Sequence, residues 1–262
     1  MKKILAIGLN TFREAIRNKV LYSLLAFALL VIIASIAFGA LSVNEDIRLT
    51  TDLGLGGMSL FLVVIAIFIG VNLVYKELER KTVYTLIPKP IYRFQFVLGK
   101  FAGLALTLLV QLVVMSVVLL TVLSLQGAKL QGGLFMMIAL IFLEVLVITA
   151  IAVLFSSFST PFLSGLFIVG IFLLGRSVPD IRAVADKMDQ PVLSPALNTV
   201  ANLVPNLRYF YVTGSELRDG YVSLHGSFID WGYVGSASAY ALLYTTLVLL
   251  AAIALFSRRD FI

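Results

Sequence analysis

The sequence has no cysteine, one histidine and one tryptophan among its 262 residues, and only 13% of the residues are charged. Without cysteine the chain cannot form a disulfide or a thiolate metal site. The low charge excludes a water-soluble globular domain, in which roughly a quarter of the residues are charged. Hydrophobic residues instead make up 60% of the chain. The composition therefore predicts a polytopic membrane protein.

Five uncharged or nearly uncharged runs carry the spans. Three of them reach the roughly 20 residues that cross a hydrocarbon core, and these are 20–41, 53–75 and 101–128. The fourth, 130–175, is about twice one membrane thickness at ~1.5 Å per residue, so it predicts a hairpin. Its turn falls at 156–161, where Pro161 suits the start of the returning helix. A last run from about Gly235 to Phe256 completes six spans in an all-α membrane protein, which we expect to form one domain over 1–262.

The N-terminal region is expected to stay in the mature protein. Its apolar run is broken by charged residues, and the next run, 20–41, is longer than the ~7–15 residues of a signal-peptide core. Residues 1–19 are predicted to form an amphipathic interfacial helix, because Leu5, Leu9, Phe12 and Ile16 share one helical face. A merely basic tail would explain the charges of this region but not its apolar stripe.

Basic residues are unevenly divided between the two sides of the predicted topology. The two termini and the 76–100 region hold 13 lysines and arginines, and the opposite side holds seven. Excess basic charge marks the cytoplasmic side, so both termini and the 76–100 region are predicted to be cytoplasmic. The long segment 178–234 then lies outside. Part of it, 191–206, has the apolar spacing of a helix that lies on the outer leaflet.

The region 76–100 contains more than a connector between two spans requires. We expect the second span to continue as a polar helix to about Leu86, where Pro88 and Pro90 end it. A second short helix, 91–100, would lead back to the membrane, so the two form a stiff elbow. Its aromatic and aliphatic side chains need a lipid surface or a protein groove. A loop whose charges only fix the topology is the alternative.

The residues predicted to dock a partner protein include both charged residues and aromatic or other apolar residues. They are Glu77, Glu79, Arg80, Thr82, Tyr84, Pro88, Pro90, Tyr92 and Arg93.

The run "YKELERKTVYTLIPKPIYRFQFVLGK" resembles the coupling region of ABC-2 type permeases, the membrane subunits of one class of ATP-binding cassette transporter. The matching positions are Glu79, Thr82, Pro88, Arg93 and the "LGK" that ends at Lys100, whereas Lys81 stands where the family usually has glycine. The outer "LVPNLRYFYVTG" and the tail "FSRRDF" extend the resemblance to nearly the whole chain. They look closest to the permeases of copper-enzyme maturation systems.

This resemblance implies a transporter subunit, by the family's usual direction an exporter, rather than an enzyme. It implies two ATPase subunits that bind ATP and Mg²⁺, a second copy of the permease or a relative, and a bacterial or archaeal cytoplasmic membrane. The chain itself has no phosphate loop of the G-x-x-x-x-G-K-[ST] type. No cofactor, metal or nucleic acid is expected here, and an accessory protein on the outer segment 178–234 is left open.

Two polar residues fall near the predicted midplane. Glu144 is the only acidic residue within a span, and Gln111 reaches a similar depth on the adjacent span. Either Glu144 lines the translocation path or relays a proton, or it is a buried carboxyl bonded to Gln111 or a nearby hydroxyl that locks two helices. Arg176, at the end of the fifth span, is interpreted as an interfacial cation.

The G-x-x-x-G of Gly99 and Gly103 could be a dimer face, a close-packing face or a chance pattern.

Three other function classes compete with a permease. A membrane enzyme would need a nucleophile, a metal motif or paired acids, and the sequence has no H-E-x-x-H and only one acid within a span. A secondary transporter would show several polar groups at the midplane. A membrane anchor that recruits a soluble ATPase without moving a cargo is served equally well by the elbow.

Overall fold

The computed structural model describes residues 2–40, 46–79, 92–128, 132–187, 193–211, 216–217, 220–221 and 230–258. Its α-helices are α1 (Lys2–Ile16), α2 (Lys19–Gly39), α3 (Asp46–Glu79), α4 (Arg93–Leu125), α5 (Gly132–Ser156), α6 (Pro161–Arg176), α7 (Val178–Lys187), α8 (Leu193–Leu203) and α9 (Trp231–Arg258). A 3₁₀ turn covers Leu207–Tyr209. A two-residue antiparallel pairing joins β1 (Glu216–Leu217) to β2 (Gly220–Tyr221).

The predicted all-helical membrane class is confirmed. Five helices, α2, α3, α4, α5 and α9, are each long and apolar enough to cross a bilayer. The predicted fifth span, the returning half of the hairpin, is α6 followed by α7, and these two helices meet at an angle of 61°. The count of six therefore holds only when this bent pair is taken as one span.

The bundle is built around α5. Apart from Glu144 and a few hydroxyl side chains, this helix is apolar around its whole circumference, and it packs against α3, α4, α6 and α9, so most of its side chains are buried. In contrast, α2 and α9 leave rows of large apolar side chains exposed, as expected of helices at a lipid boundary. The hairpin prediction is met closely, since α5 ends at Ser156 and α6 begins at Pro161.

The third span differs from its prediction. Instead of a short helix 91–100 followed by a span 101–128, α4 is one continuous helix of 33 residues. Nothing between Phe94 and Lys100 breaks a helix, and the side chain of Gln95 accepts a hydrogen bond from the Tyr92 N–H at 3.4 Å. That contact helps to fix the helix start just after Pro90. The chain therefore enters the bundle at this end as a rigid rod.

The amphipathic N-terminal segment folds as α1 and packs along the first turns of α4. Its contact face is made by Gly8, Thr11 and Ala15, which are buried. Leu5 and Leu9 remain exposed on the outer face of α1. The helix thus carries two apolar faces, one occupied by α4 and one left open.

At the opposite end of the bundle, α7 and α8 pack against each other. The segment that follows α8, residues 205–211, lies against the end of α6. Gly175 makes this close approach possible, because a Cβ at this position would lie 2.7 Å from the Pro205 carbonyl oxygen. Two further bonds attach the segment to α9. The Tyr240 hydroxyl accepts from Asn206 N–H at 2.9 Å, and the Tyr233 hydroxyl donates to the Tyr209 carbonyl at 2.7 Å.

Candidate functional site

Glu144 forms a buried ion pair with Arg176. Nε of Arg176 donates to Oε1 of Glu144 at 3.0 Å and Nη2 donates to Oε2 at 3.0 Å, while Glu144 has no exposed surface. The hydroxyl of Ser59 on α3 donates to Oε2 at 2.6 Å and lies 2.6 Å from Nη2 of Arg176. Bidentate pairing of this kind is the strongest form of arginine–carboxylate contact. The cluster joins α3, α5 and α6 inside the apolar bundle.

Two aromatic rings cover the guanidinium of Arg176. Its Cζ lies 4.7 Å from the ring centre of Phe172, one turn back on α6, and 4.1 Å from the ring centre of Tyr211. Both distances are within the range of a cation–π contact. Tyr211 closes the segment 205–211, so Arg176 connects the interior ion pair to the segment that caps this end of the bundle.

The interpretation of Arg176 as an interfacial cation is wrong. Because α6 has only 16 residues, it rises about 24 Å, which is less than the ~30 Å of a hydrocarbon core. Its last residue therefore lies at a depth from which a long side chain reaches Glu144. A sequence signal existed: Glu144 stands 12 residues before the hairpin turn and Arg176 stands 15 residues after it, which predicts similar depths.

Among the described residues, no hydrogen bond joins Gln111 to Glu144. Gln111 is buried on α4, and within the part of the chain that the structure describes its Oε1 has no hydrogen-bond partner. Of the two partners expected for a helix-locking Glu144, the hydroxyl is present, as Ser59, and the amide is not.

The start of α4 is held from two sides, an arrangement we call the α4 clamp. On one side, Nη1 of Arg93 donates to the carbonyls of Phe256, at 3.3 Å, and of Ser257 near the end of α9. The rings of Phe96 and Phe256 stack with 5.6 Å between their centres. A cation at the last carbonyls of a helix is favourable, because these groups lack partners within the helix.

On its other side, the α4 clamp contains α1. A Cβ on Gly103 would overlap the carbonyl oxygen of Gly8, and one on Gly99 would lie 2.7 Å from Cβ of Ile7. Lys100 is almost fully buried beside them, and its Nζ lies 3.9 Å from Oε2 of Glu14. Within this chain, the G-x-x-x-G is a close-packing face for α1.

The predicted docking residues lie next to the α4 clamp. Glu77 and Glu79 belong to the last turn of α3, of which the structure describes the backbone. Tyr92 is exposed and stacks on the exposed ring of Phe94, with 5.8 Å between the ring centres. The predicted docking residues from Arg80 to Pro90 lie outside the described residues.

A protein-family model described as ABC-2 family transporter protein matches residues 5–261, which is almost the whole chain. The chain belongs to the ABC-2 transporter family. A comparison with curated proteins gives no significant match. Membership confirms the ABC-2 type permease indicated by the coupling-region resemblance, while the copper-enzyme maturation subgroup stays a prediction.

The ABC-2 family assigns this chain to the membrane component of an ABC transporter, which as a class is a transport subunit and is not itself catalytic. It also implies association with ABC ATPase subunits. A multi-pass membrane protein with five or six spans agrees with that assignment. The features to be explained by this role are the ion pair inside the bundle and the α4 clamp.

Proposed function

We propose that this ABC-2 permease couples ATP hydrolysis by two ATPase subunits to export of a cargo, and that the coupling region (residues 76–100) is where the ATPases dock. Both termini and this region lie in the cytoplasm in this proposal, supported by the charge distribution. The observation that carries it is the α4 clamp. Force applied to the coupling region enters α4 at Arg93, where α4 is attached to α1 and to α9.

The α4 clamp supports transmission through rigid bodies. Because α4 is one unbroken helix from Arg93 to Leu125, a tilt imposed at its start must reach its far end. Because α1 packs directly on the backbone of α4 at Gly99 and Gly103, α1 moves with it. The bonds from Arg93 to the end of α9 add the last helix to the same unit.

The exposed aromatic pair Tyr92 and Phe94 suits a docking surface. Aromatic side chains supply much of the energy of protein interfaces, and both of these side chains are exposed among the described residues. The acidic end of α3, with Glu77 and Glu79, would contribute charge complementarity to the same surface. Arg93 has a different role in this proposal, since its guanidinium is bonded to α9.

We propose that Glu144 locks helices together rather than relaying protons. Both carboxylate oxygens are bonded and the side chain is sealed from solvent. Its oxygens are engaged by Arg176 on α6 and Ser59 on α3, so the carboxylate ties three helices together. The anchor alternative, in which the ATPase binds but no cargo moves, makes the same use of the coupling region.

The docking proposal is tested by replacing residues 82–91 with a flexible glycine–serine linker of equal length. Arg93 and the rest of α4 are left intact, so the clamp is kept. We expect co-purification of the ATPase subunits to fall at least tenfold, because the docking side chains from Thr82 to Pro90 are lost while the bundle stays folded. A matched replacement of residues 188–192, at the other end of the bundle, should leave co-purification unchanged. Retention of the ATPase by the 82–91 variant at normal levels would overturn the proposal.

Thiol labelling of the complex distinguishes a permease from an anchor. If the ATPase binds the unmodified chain and ATP turnover changes the reactivity of thiols introduced into the permease, the chain moves during the cycle. If the ATPase binds while no part of the permease responds to ATP, the anchor function replaces transport.

A further inference from the structure

The segment 205–211 covers the end of the bundle opposite the coupling region without belonging to any of its spanning helices. Leu207 and Phe210 are its buried apolar residues. Besides this burial, the segment is attached by side-chain contacts to α9 and α6 and by an ion pair of 3.8 Å between Arg208 and Asp180 on α7. A part attached in this way can leave as a unit without breaking a helix.

On α6, the surface that receives the segment (its seat) is the backbone at Gly175. Gly175 presents bare backbone, on which the Pro205 carbonyl and the side chain of Leu207 rest directly. Gly56 on α3 likewise lets Tyr211 approach closely, because a Cβ at position 56 would lie 3.1 Å from the hydroxyl oxygen of Tyr211. Immediately after Gly175 and Arg176, the chain bends by 61° into α7. The seat and the bend thus lie within three residues of each other.

The ring of Tyr211 stacks on Arg176, and this contact joins the segment to the polar cluster of Glu144, Ser59 and Arg176. The charge of Arg176 is already neutralised by Glu144, so the stacked ring of Tyr211 is not required to satisfy the guanidinium. The ring can therefore leave without exposing an unpaired buried charge. Tyr211 rests on Arg176, and Arg176 is held by Glu144 on α5. A movement of α5 or α6 therefore changes the surface against which the segment packs.

We propose that residues 205–211 form an outer plug that is displaced during the transport cycle, and that Arg176 is the residue that positions it. This inference rests on the proposed function, because a permease must open its outer face once per cycle. In the closed state, Tyr211 stacks on Arg176 and Leu207 is buried. When α6 shifts relative to α3, the stacking is lost and the plug separates at the Gly175 seat.

The chain lacks cysteine, so a single introduced thiol reports the plug without background. Leu207→Cys places a thiol at a position with no exposed surface. The rate at which this thiol reacts with a membrane-impermeant maleimide measures opening of the plug. Ala185→Cys places a thiol at a buried position on α7. Its labelling rate measures general unfolding of the helices at this end of the bundle. The measurements use the full chain in lipid nanodiscs.

Tyr211→Leu is expected to raise the labelling rate of the thiol at position 207 at least tenfold, because it removes the ring from Arg176 but leaves the ion pair intact. Tyr211→Phe keeps the ring and should label at the original slow rate. Gly175→Val, which pushes the Pro205 carbonyl away, should raise the rate independently of Tyr211. The thiol at position 185 should stay protected in all three. Unchanged protection at position 207 in both Tyr211→Leu and Gly175→Val would overturn the proposal, as would equal gains at position 185.

The complex with its ATPase then tests whether the plug moves during the cycle. Trapping with ATP and vanadate should increase labelling at position 207 severalfold in the Leu207→Cys chain that carries no other change. Protection that does not change on trapping, in a complex that binds the ATPase, contradicts the plug while the proposed function stands. Failure of any ATPase to bind contradicts the proposed function, and the Tyr211 and Gly175 variants still test the attachment of the segment on the permease alone.

Discussion

Arg176→Leu is expected to destabilise the protein severely, whereas the double variant Glu144→Leu/Arg176→Met is expected to fold. Removing one partner leaves the carboxylate of Glu144, which has no exposed surface, without its counter-charge. The penalty for such a charge is about 3–5 kcal/mol, while replacing a buried pair by apolar side chains of similar volume is often neutral or stabilising. Thermal unfolding in detergent, followed by loss of monodisperse protein, measures the difference.

The double variant separates two roles for the pair. If the pair only locks α5 to α6 and α3, the double variant should match the unmodified protein in stability and should still bind the ATPase. Glu144→Gln should destabilise the protein less than Arg176→Leu, because the guanidinium that it leaves without a counter-charge is 21% exposed and still contacts Phe172 and Tyr211. Equal instability of the double variant and of Arg176→Leu would show that the apolar replacement does not relieve the penalty and would contradict the locking role.

Gly103→Leu is expected to detach α1 from α4. A Cβ at this position overlaps the backbone oxygen of Gly8, which cannot move without moving α1. Forcing side-chain atoms into such a contact costs about 1–3 kcal/mol, which corresponds to a roughly five- to hundredfold rise in the undocked population of α1. Trypsin cleavage after Arg13 or Arg17 in detergent reports that population and should accelerate accordingly.

Gly165→Leu on α6 is the matched control for Gly103→Leu. It makes the same substitution in a helix where a Cβ would meet no atom within 4 Å. Cleavage of α1 should not change in this variant. Equal cleavage rates in the unmodified protein and Gly103→Leu would mean that α1 does not depend on the glycine face, and the α4 clamp would lose one of its two sides.

The sequence predicts the membrane class, the hairpin and the burial of Glu144, because each depends on the local length and composition of one run. The partner of Glu144 depends on something else. The distances of Glu144 and Arg176 from the hairpin turn place them at similar depths, but which faces of α5 and α6 meet is set by tertiary packing that no local pattern encodes. The same is true of Ser59, which is one of many small polar residues in the spans and carries no distinguishing spacing.

At the end of the bundle next to the coupling region, the sequence again predicts local features but not the contacts between helices. The basic residues of the 76–100 region suggest a polar end of the bundle, but they do not show that Lys100 is buried against α1 or that Arg93 is bonded to α9. Both contacts arise where separate helices meet. The glycines at 99 and 103 predict close packing of some helix, while the choice between a second chain and α1 is made by tertiary structure.

The proposed function depends above all on a coupling region that faces the cytoplasm and is contacted there by an ATPase. It is tested most directly by a single reactive thiol introduced as Thr85→Cys, which is the only cysteine in the variant chain. A membrane-impermeant maleimide should label this thiol in inside-out vesicles and not in intact cells, and co-assembled ATPase should slow the labelling at least tenfold. Labelling of intact cells from the outside, or equal labelling with and without the ATPase, would contradict the account.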